Sequence, residues 1–197
     1  MMDIQEKLYT ADEHWEIASR PENRDKRLEL YDGVIVEKDV DRETGEMSPS
    51  FLPSAIAVKL IRFISTYVDE NALGYVTGAD GTYRLSKTIK FIPDVGFISK
   101  AHLPEIPSRD VPVPPDFAVE VVSPTDSIPQ SHRKAMQYLA HATRMVWVVY
   151  PDEQSVDVYR PAESEGVNVL TVKYDGVLDG YDVLPGFQVA VKDIFPA

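Results

Sequence analysis

The 197-residue chain contains no cysteine. That excludes disulfides, thiolate metal sites and cysteine nucleophiles, and it fits a cytoplasmic protein. The sequence also lacks a G-x-G-x-x-G fingerprint, a Walker motif and a G-x-S-x-G elbow, so no dinucleotide fold, P-loop or serine hydrolase is indicated. No apolar run approaches the ~20 residues of a membrane helix. The opening MMDIQEKLYTADEH is acidic and has no apolar segment, so no secretory signal is expected. Positive charge is scarce: 20 Lys and Arg face 32 Asp and Glu, a net charge of −12. Such a chain repels phosphate backbones on average, which argues against a general DNA-coating protein. A local basic site, or an acidic cluster neutralised by divalent cations, stays open. Hydrophobic residues at 44% and charged residues at 26% are ordinary globular usage. One domain over residues 1–197 with a sizeable core is expected.

No repeat or low-complexity linker interrupts the chain. Thr10 to Arg20 reads as a first helix, with Thr10 and Glu13 at capping-box spacing. In LELYDGVIVEK, Asp32-Gly33 marks a hairpin between two short strands. Residues 54–70 form an amphipathic pattern, with Ile56, Leu60, Phe63, Ile64, Tyr67 and Val68 near helical spacing. Strands are expected at 75–78, 82–85, 91–99 and 117–122, the last after a proline-rich loop that regular structure does not accommodate. A helix over 127–142 follows, capped by Asp126 or Ser127 with Pro129 in its first turn. Strands at 145–150, 155–160, 168–174 and 187–191 complete the order. The pattern predicts an α/β fold with a mixed β-sheet flanked by helices, not a strictly alternating one.

Two carboxylates intrude on apolar strands. Asp94 lies in FIPDVGFISK and Glu120 in DFAVEVVSP. Burying an isolated carboxylate is costly unless it is paired, hydrogen-bonded or bound to a metal. Alternate strand residues share a face, so Asp94 goes with Ile92 and Gly96, and Glu120 with Ala118 and Val122. If the two strands are neighbours, the carboxylates converge and repel. A hard cation such as Mg²⁺ removes that conflict, and the Val121 carbonyl offers a further oxygen. Lys134 follows on a helix, with Tyr138 one turn on along the same face. A lysine reaching such a site can orient a water or support charge on phosphate. Glu29, in LELYDG, is another carboxylate in a part-apolar strand.

Pro93-Asp94, then Glu120 in EVVSP, then Lys134 and Tyr138 in KAMQY, resemble the PD-(D/E)XK nuclease superfamily. More narrowly, LELYDGVIVE, PDVGFI, EVVSP, the K-x-x-x-Y helix and VWVVYPD resemble, in order, the Uma-type restriction endonuclease family. The superfamily usually sets its lysine two residues after the glutamate. That position is Val122 here, and Lys134 fits a migrated arrangement. The resemblance implies a restriction endonuclease-like core and Mg²⁺- or Mn²⁺-dependent cleavage of DNA phosphodiesters. Asp94 and Glu120 would be metal ligands, Lys134 the cation directed at water or phosphate, and Glu29 an additional carboxylate. Where the family often has a histidine at the start of the second helix, this chain reads MSPSFLPSAIAVKL.

Blander readings stand beside these. Glu120 could be a buried ion pair with Arg84 or Arg144. Arg133 reads as solvated, and His132 and Tyr138 are at best weak substrate contacts. His14, His102 and His141 show no paired metal spacing and read as structural or surface groups. Glu37, Asp39, Asp41, Glu43 and Glu46 read as a solvated loop, and Trp15 and Trp147 as core. A two-carboxylate glycosidase finds no role for Lys134. The alternative function is a nuclease fold kept as a non-catalytic binding protein. A homodimer is expected from the need to cut two strands.

Overall fold

The computed structural model describes residues 7–38, 40, 51–124 and 126–196. Asp39, Asp41, Glu43 and Glu46 of the acidic stretch lie outside them. Helix α1 (Ala11–Ala18) opens on the expected capping box, Thr10 with Glu13. The hairpin follows as β1 (Leu28–Tyr31) and β2 (Val34–Glu37). Its turn residues Asp32 and Gly33 both have positive φ, 47° and 86°, which a tight two-residue hairpin demands.

Next come α2 (Phe51–Glu70), β3 (Gly74–Thr77), β4 (Tyr83–Arg84), β5 (Lys90–Phe91), β6 (Val95–Ser99) and β7 (Phe117–Val121). After them run α3 (Ile128–Ala140), β8 (Met145–Tyr150), β9 (Ser155–Pro161) and β10 (Val167–Lys173). The chain closes with β11 (Val177–Asp179), β12 (Gln188–Ala190) and the short α4 (Val191–Ile194).

The main sheet has six strands in the order β10-β9-β8-β7-β6-β3. All its pairs are antiparallel except β7 with β8, which are joined through α3 and run parallel. A second, antiparallel sheet has the order β2-β1-β5-β4. The fold is the mixed sheet flanked by helices that the pattern predicts.

Strand alternation sorts the core into two layers. On one face of the main sheet, Phe97, Phe117, Val119, Trp147 and Val149 pack against Ile56, Leu60, Ile64 and Val68 of α2. On the other, Ala118, Val146 and Val148 meet Ala135 and Tyr138 of α3 and Phe91 of the second sheet. Trp147 is fully buried as expected, with Phe117 edge-on at 4.8 Å. Trp15 is only half-buried, and the Arg109 guanidinium lies over its ring at 4.6 Å.

Two expectations need correction. Residues 91–99 are not one strand: pairing to the second sheet ends at Phe91, and pairing to the main sheet begins at Val95. Pro93 has no N–H to extend either ladder. By length and composition α2 is also apolar enough to cross a membrane, with mean hydropathy 1.4 over 18 residues. Its apolar run is not continuous, because Lys59 and Arg62 interrupt it. Here its apolar stripe faces the sheet.

Candidate active site

The break between the two sheets creates the site. Where the chain passes from β5 to β6, two main-chain N–H groups near the crossing take carboxylates as acceptors. The Ile92 N–H donates to Glu29 Oε1 at 2.7 Å. The Val121 N–H, beyond the end of the β6 ladder, donates to Asp94 Oδ2 at 2.7 Å. Glu29 comes from β1, Asp94 from the crossing itself, and Glu120 from β7. Glu120 shares a face with Ala118, as strand parity predicts, so it points to α3 rather than α2.

Helix α3 brings its own charge. It starts on a capping box of Ser127 with Gln130, with Pro129 in the first turn. Lys134 and Tyr138 are four residues apart and both reach Glu120. The Lys134 ammonium lies 2.8 Å from Glu29 Oε1 and 3.0 Å from Glu120. The Tyr138 hydroxyl donates to Glu120 Oε1 at 2.8 Å.

A second lysine completes the cluster. The Lys38 ammonium donates to Asp94 Oδ1 at 2.8 Å and to the Ile92 carbonyl at 2.7 Å, and lies 3.6 Å from Glu120 Oε2. The Tyr31 hydroxyl takes up Glu29 Oε2 at 3.0 Å. All six carboxylate oxygens of Glu29, Asp94 and Glu120 thus have partners within the chain. The three acids and two lysines line a cavity of about 610 Å³, with Arg133 and Gln137 on the α3 side.

Burial and charge oppose each other on every group. For Lys134, burial favours the neutral amine, but Glu120 and Glu29 overcome it and hold the ammonium well above its usual range. Lys38 is raised in the same way by Asp94 and Glu120. Burial pushes the Asp94 carboxyl up, yet Lys38 and the Val121 N–H bring it below the usual carboxylate value. Glu29 is lowered against its burial chiefly by Lys134. In Glu120 burial wins over the two lysines, with Asp94 and Glu29 adding like charge, so its carboxyl is raised. Three carboxylates against two ammoniums leave one surplus negative charge, and Glu120 carries the strain.

Asp94, Glu120, Lys134 and Glu29 are therefore gathered at one place. Tyr138 is fully buried and touches Glu120 rather than the opening. His132 is turned away, with its Nδ1 3.2 Å from the Tyr159 hydroxyl. At Val121 the amide N–H is the group on Asp94. Arg84 and Arg144 pair elsewhere, with Asp12 and Asp182, so neither neutralises Glu120.

Lys38 is the residue that motif reasoning missed, because it lies between Glu37 and Asp39 in the acidic stretch that reads as a solvated loop. The hairpin register contained the signal. A two-residue turn at Asp32-Gly33 sets Glu29 opposite Val36. Lys38, two residues on from Val36, then shares a face with Glu29.

Among the described residues no three carboxylates or imidazoles crowd closely enough to encircle one ion by themselves. The oxygen set around the Lys38 ammonium is instead two carboxylates, Asp94 and Glu120, with the Ile92 carbonyl. That all-oxygen set, already holding a cation, fits a hard divalent ion whose other positions are filled by water.

Comparison with known proteins agrees with the fold. The family model Uma2, described as "Putative restriction endonuclease", matches residues 12–192. No curated protein matches the chain. Among solved structures, a "putative nuclease belonging to DUF820" from Anabaena variabilis ATCC 29413 is similar at a TM-score of 0.69 and 22% identity. The match covers 86% of this chain and 90% of that one. The likeness identifies a restriction endonuclease-like fold.

Proposed function

The chain belongs to the Uma2 family, and we propose that it is an endonuclease that hydrolyses DNA phosphodiester bonds with a divalent cation, Mg²⁺ or Mn²⁺. The observation that supports this most is the meeting of Asp94 from the β5–β6 crossing and Glu120 from β7 with Lys134 from the next helix.

Asp94 and Glu120 would hold the ion, with a main-chain carbonyl at Ile92 or Val121 as a further oxygen. When bound, the ion lowers the pKa of a water and offsets charge on the phosphoryl oxygens. The chain's own groups do the rest. Lys134 stays charged at working pH, and its ammonium, aimed into the cavity, stabilises negative charge as it develops on the phosphate. Glu29 positions Lys134 by its 2.8 Å contact, and Tyr138 fixes the Glu120 carboxylate through Oε1. Arg133, on the cavity wall, offers a second cation to the strand.

Plasmid nicking in Mg²⁺ and Mn²⁺ tests the reading. Asp94→Ala should lose metal binding together with cleavage, and Glu120→Gln and Lys134→Met should each lower the rate by ~10²-fold or more. An Asp94→Ala protein as active as the native one ends the proposal.

One observation favours a second reading, a non-catalytic binding protein: every carboxylate oxygen of the site already has a partner within the chain. Metal binding without cleavage of any nucleic acid would select it. The nuclease reading also carries a homodimer, with a cut on each strand. Sedimentation as a monomer at micromolar concentration would remove that part alone.

A further inference from the structure

We propose that Lys38 is the resident cation of the metal seat: its ammonium holds Asp94, Glu120 and the Ile92 carbonyl in place when no metal is bound, and must leave before a divalent ion enters. The inference rests on the metal-site reading above and adds a residue that it does not require.

The geometry is that of a coordinated cation. Three oxygens from three separate groups surround Lys38 Nζ, at 2.7 Å from Ile92, 2.8 Å from Asp94 and 3.6 Å from Glu120. The carbonyl is the telling partner, because a simple ion pair needs only a carboxylate. The lysine is held at its base as well, where its own N–H donates to the Arg27 carbonyl at 2.7 Å. It reaches the site across 56 residues of sequence from Asp94, so the contact is a feature of the fold and not of local chain geometry.

Charge supplies the reason for exchange. Glu29, Asp94 and Glu120 carry three negative charges against the two of Lys38 and Lys134. Replacing one ammonium by a divalent ion brings the cluster to neutrality. Lys134 sits on Glu29 and Glu120, whereas Lys38 occupies the place between Asp94 and Glu120 that the ion would take. Lys38 can swing into the cavity it already lines.

The consequence is competition. Each divalent ion that binds must displace a positive charge, so Lys38 weakens metal affinity while keeping the empty site from flying apart. Free Mn²⁺ measured by electron paramagnetic resonance reads this without any turnover. Lys38→Met and Lys38→Gln should both bind Mn²⁺ about tenfold or more tightly than the native chain, roughly 1.4 kcal/mol. Lys38→Arg, which keeps the charge, should show no such gain. Melting in EDTA and in Mn²⁺ covers the case where Lys38→Met folds poorly without metal: Mn²⁺ should then raise its Tm by more than it raises that of the native chain. Equal Mn²⁺ affinity in the native and Lys38→Met proteins overturns the role of Lys38 and leaves the metal site standing. Absence of Mn²⁺ binding in both overturns the metal site and this inference together.

Discussion

Lys134→Met is the substitution whose cost follows most directly from the site. The ammonium lies 2.8 Å from Glu29 and 3.0 Å from Glu120, and all three side chains are at least nine-tenths buried. Removing it leaves Glu29, among the described residues, with the Ile92 N–H and the Tyr31 hydroxyl, and Glu120 with Tyr138 and the more distant Lys38. Breaking a buried pair from one side costs ~3–5 kcal/mol. At this chain length that corresponds to a Tm lower by ~6–20 °C. The penalty should shrink from pH 8 to pH 5, because protonating an orphaned carboxylate removes the charge that lacks a partner. Removing one acid along with the lysine, in Lys134→Met with Glu29→Gln, should recover ~1–3 kcal/mol of the loss. Urea unfolding of the four proteins at both pH values gives the cycle. A Lys134→Met loss below ~1 kcal/mol at pH 8 would refute the reasoning, since no buried charge would then depend on that ammonium.

Further outcomes follow from other parts of the molecule. His14 is buried with one ring nitrogen on the Leu28 carbonyl, and burial together with Lys90 lowers its pKa from 6.5 to about 4. The unfolded chain binds a proton below pH 6.5 that the folded chain refuses until about 4, so stability is lost as pH falls across that window. The loss is on the order of 3 kcal/mol, and His14→Gln should lack it in urea melts at pH 7 and pH 4.5. At Gly96 an added Cβ would stand 2.7 Å from the fully buried Tyr83 ring and 2.8 Å from Thr77 Oγ1. Gly96→Ala should therefore cost ~1–3 kcal/mol, and a neutral result by calorimetry would show that Tyr83 can move aside. Gln137 lines the cavity from α3. Gln137→Lys adds a cation at the wall and should strengthen DNA retention in Ca²⁺ and steepen its salt dependence, measured by fluorescence anisotropy.

Much of this was legible in the residues, and the gaps have physical causes. Strand parity puts Glu120 on the face of Ala118 and Val122, opposite Phe117, Val119 and Val121, since a period of two admits only two answers; that α3 covers this face is decided by the fold. Helical spacing put Lys134 and Tyr138 on one face, and the structure puts both on the same carboxylate. The Asp32-Gly33 turn set the hairpin. The split of residues 91–99 was harder to read, because Ile92 and Pro93 continue an apolar run while changing sheets. Tertiary pairing, rather than local preference, decides where each ladder ends. Lys38 was hidden by its neighbours: KDVDRETGE reads as solvated charge unless the hairpin register is carried two residues past Glu37. Glu29 is expected at the site as an additional carboxylate, and the fold adds what its oxygens hold: Lys134, the Ile92 N–H and Tyr31. The short β11 and the single-turn α4 have too few residues to produce a period.

The most direct measurement is a Mn²⁺-soaked crystal examined by anomalous diffraction. One strong peak is expected between Asp94 and Glu120, on the Ile92 carbonyl side, with the Lys38 ammonium withdrawn and Lys134 still on Glu29. A peak bound elsewhere, or none with Lys38 still seated between the two acids at saturating Mn²⁺, would contradict it.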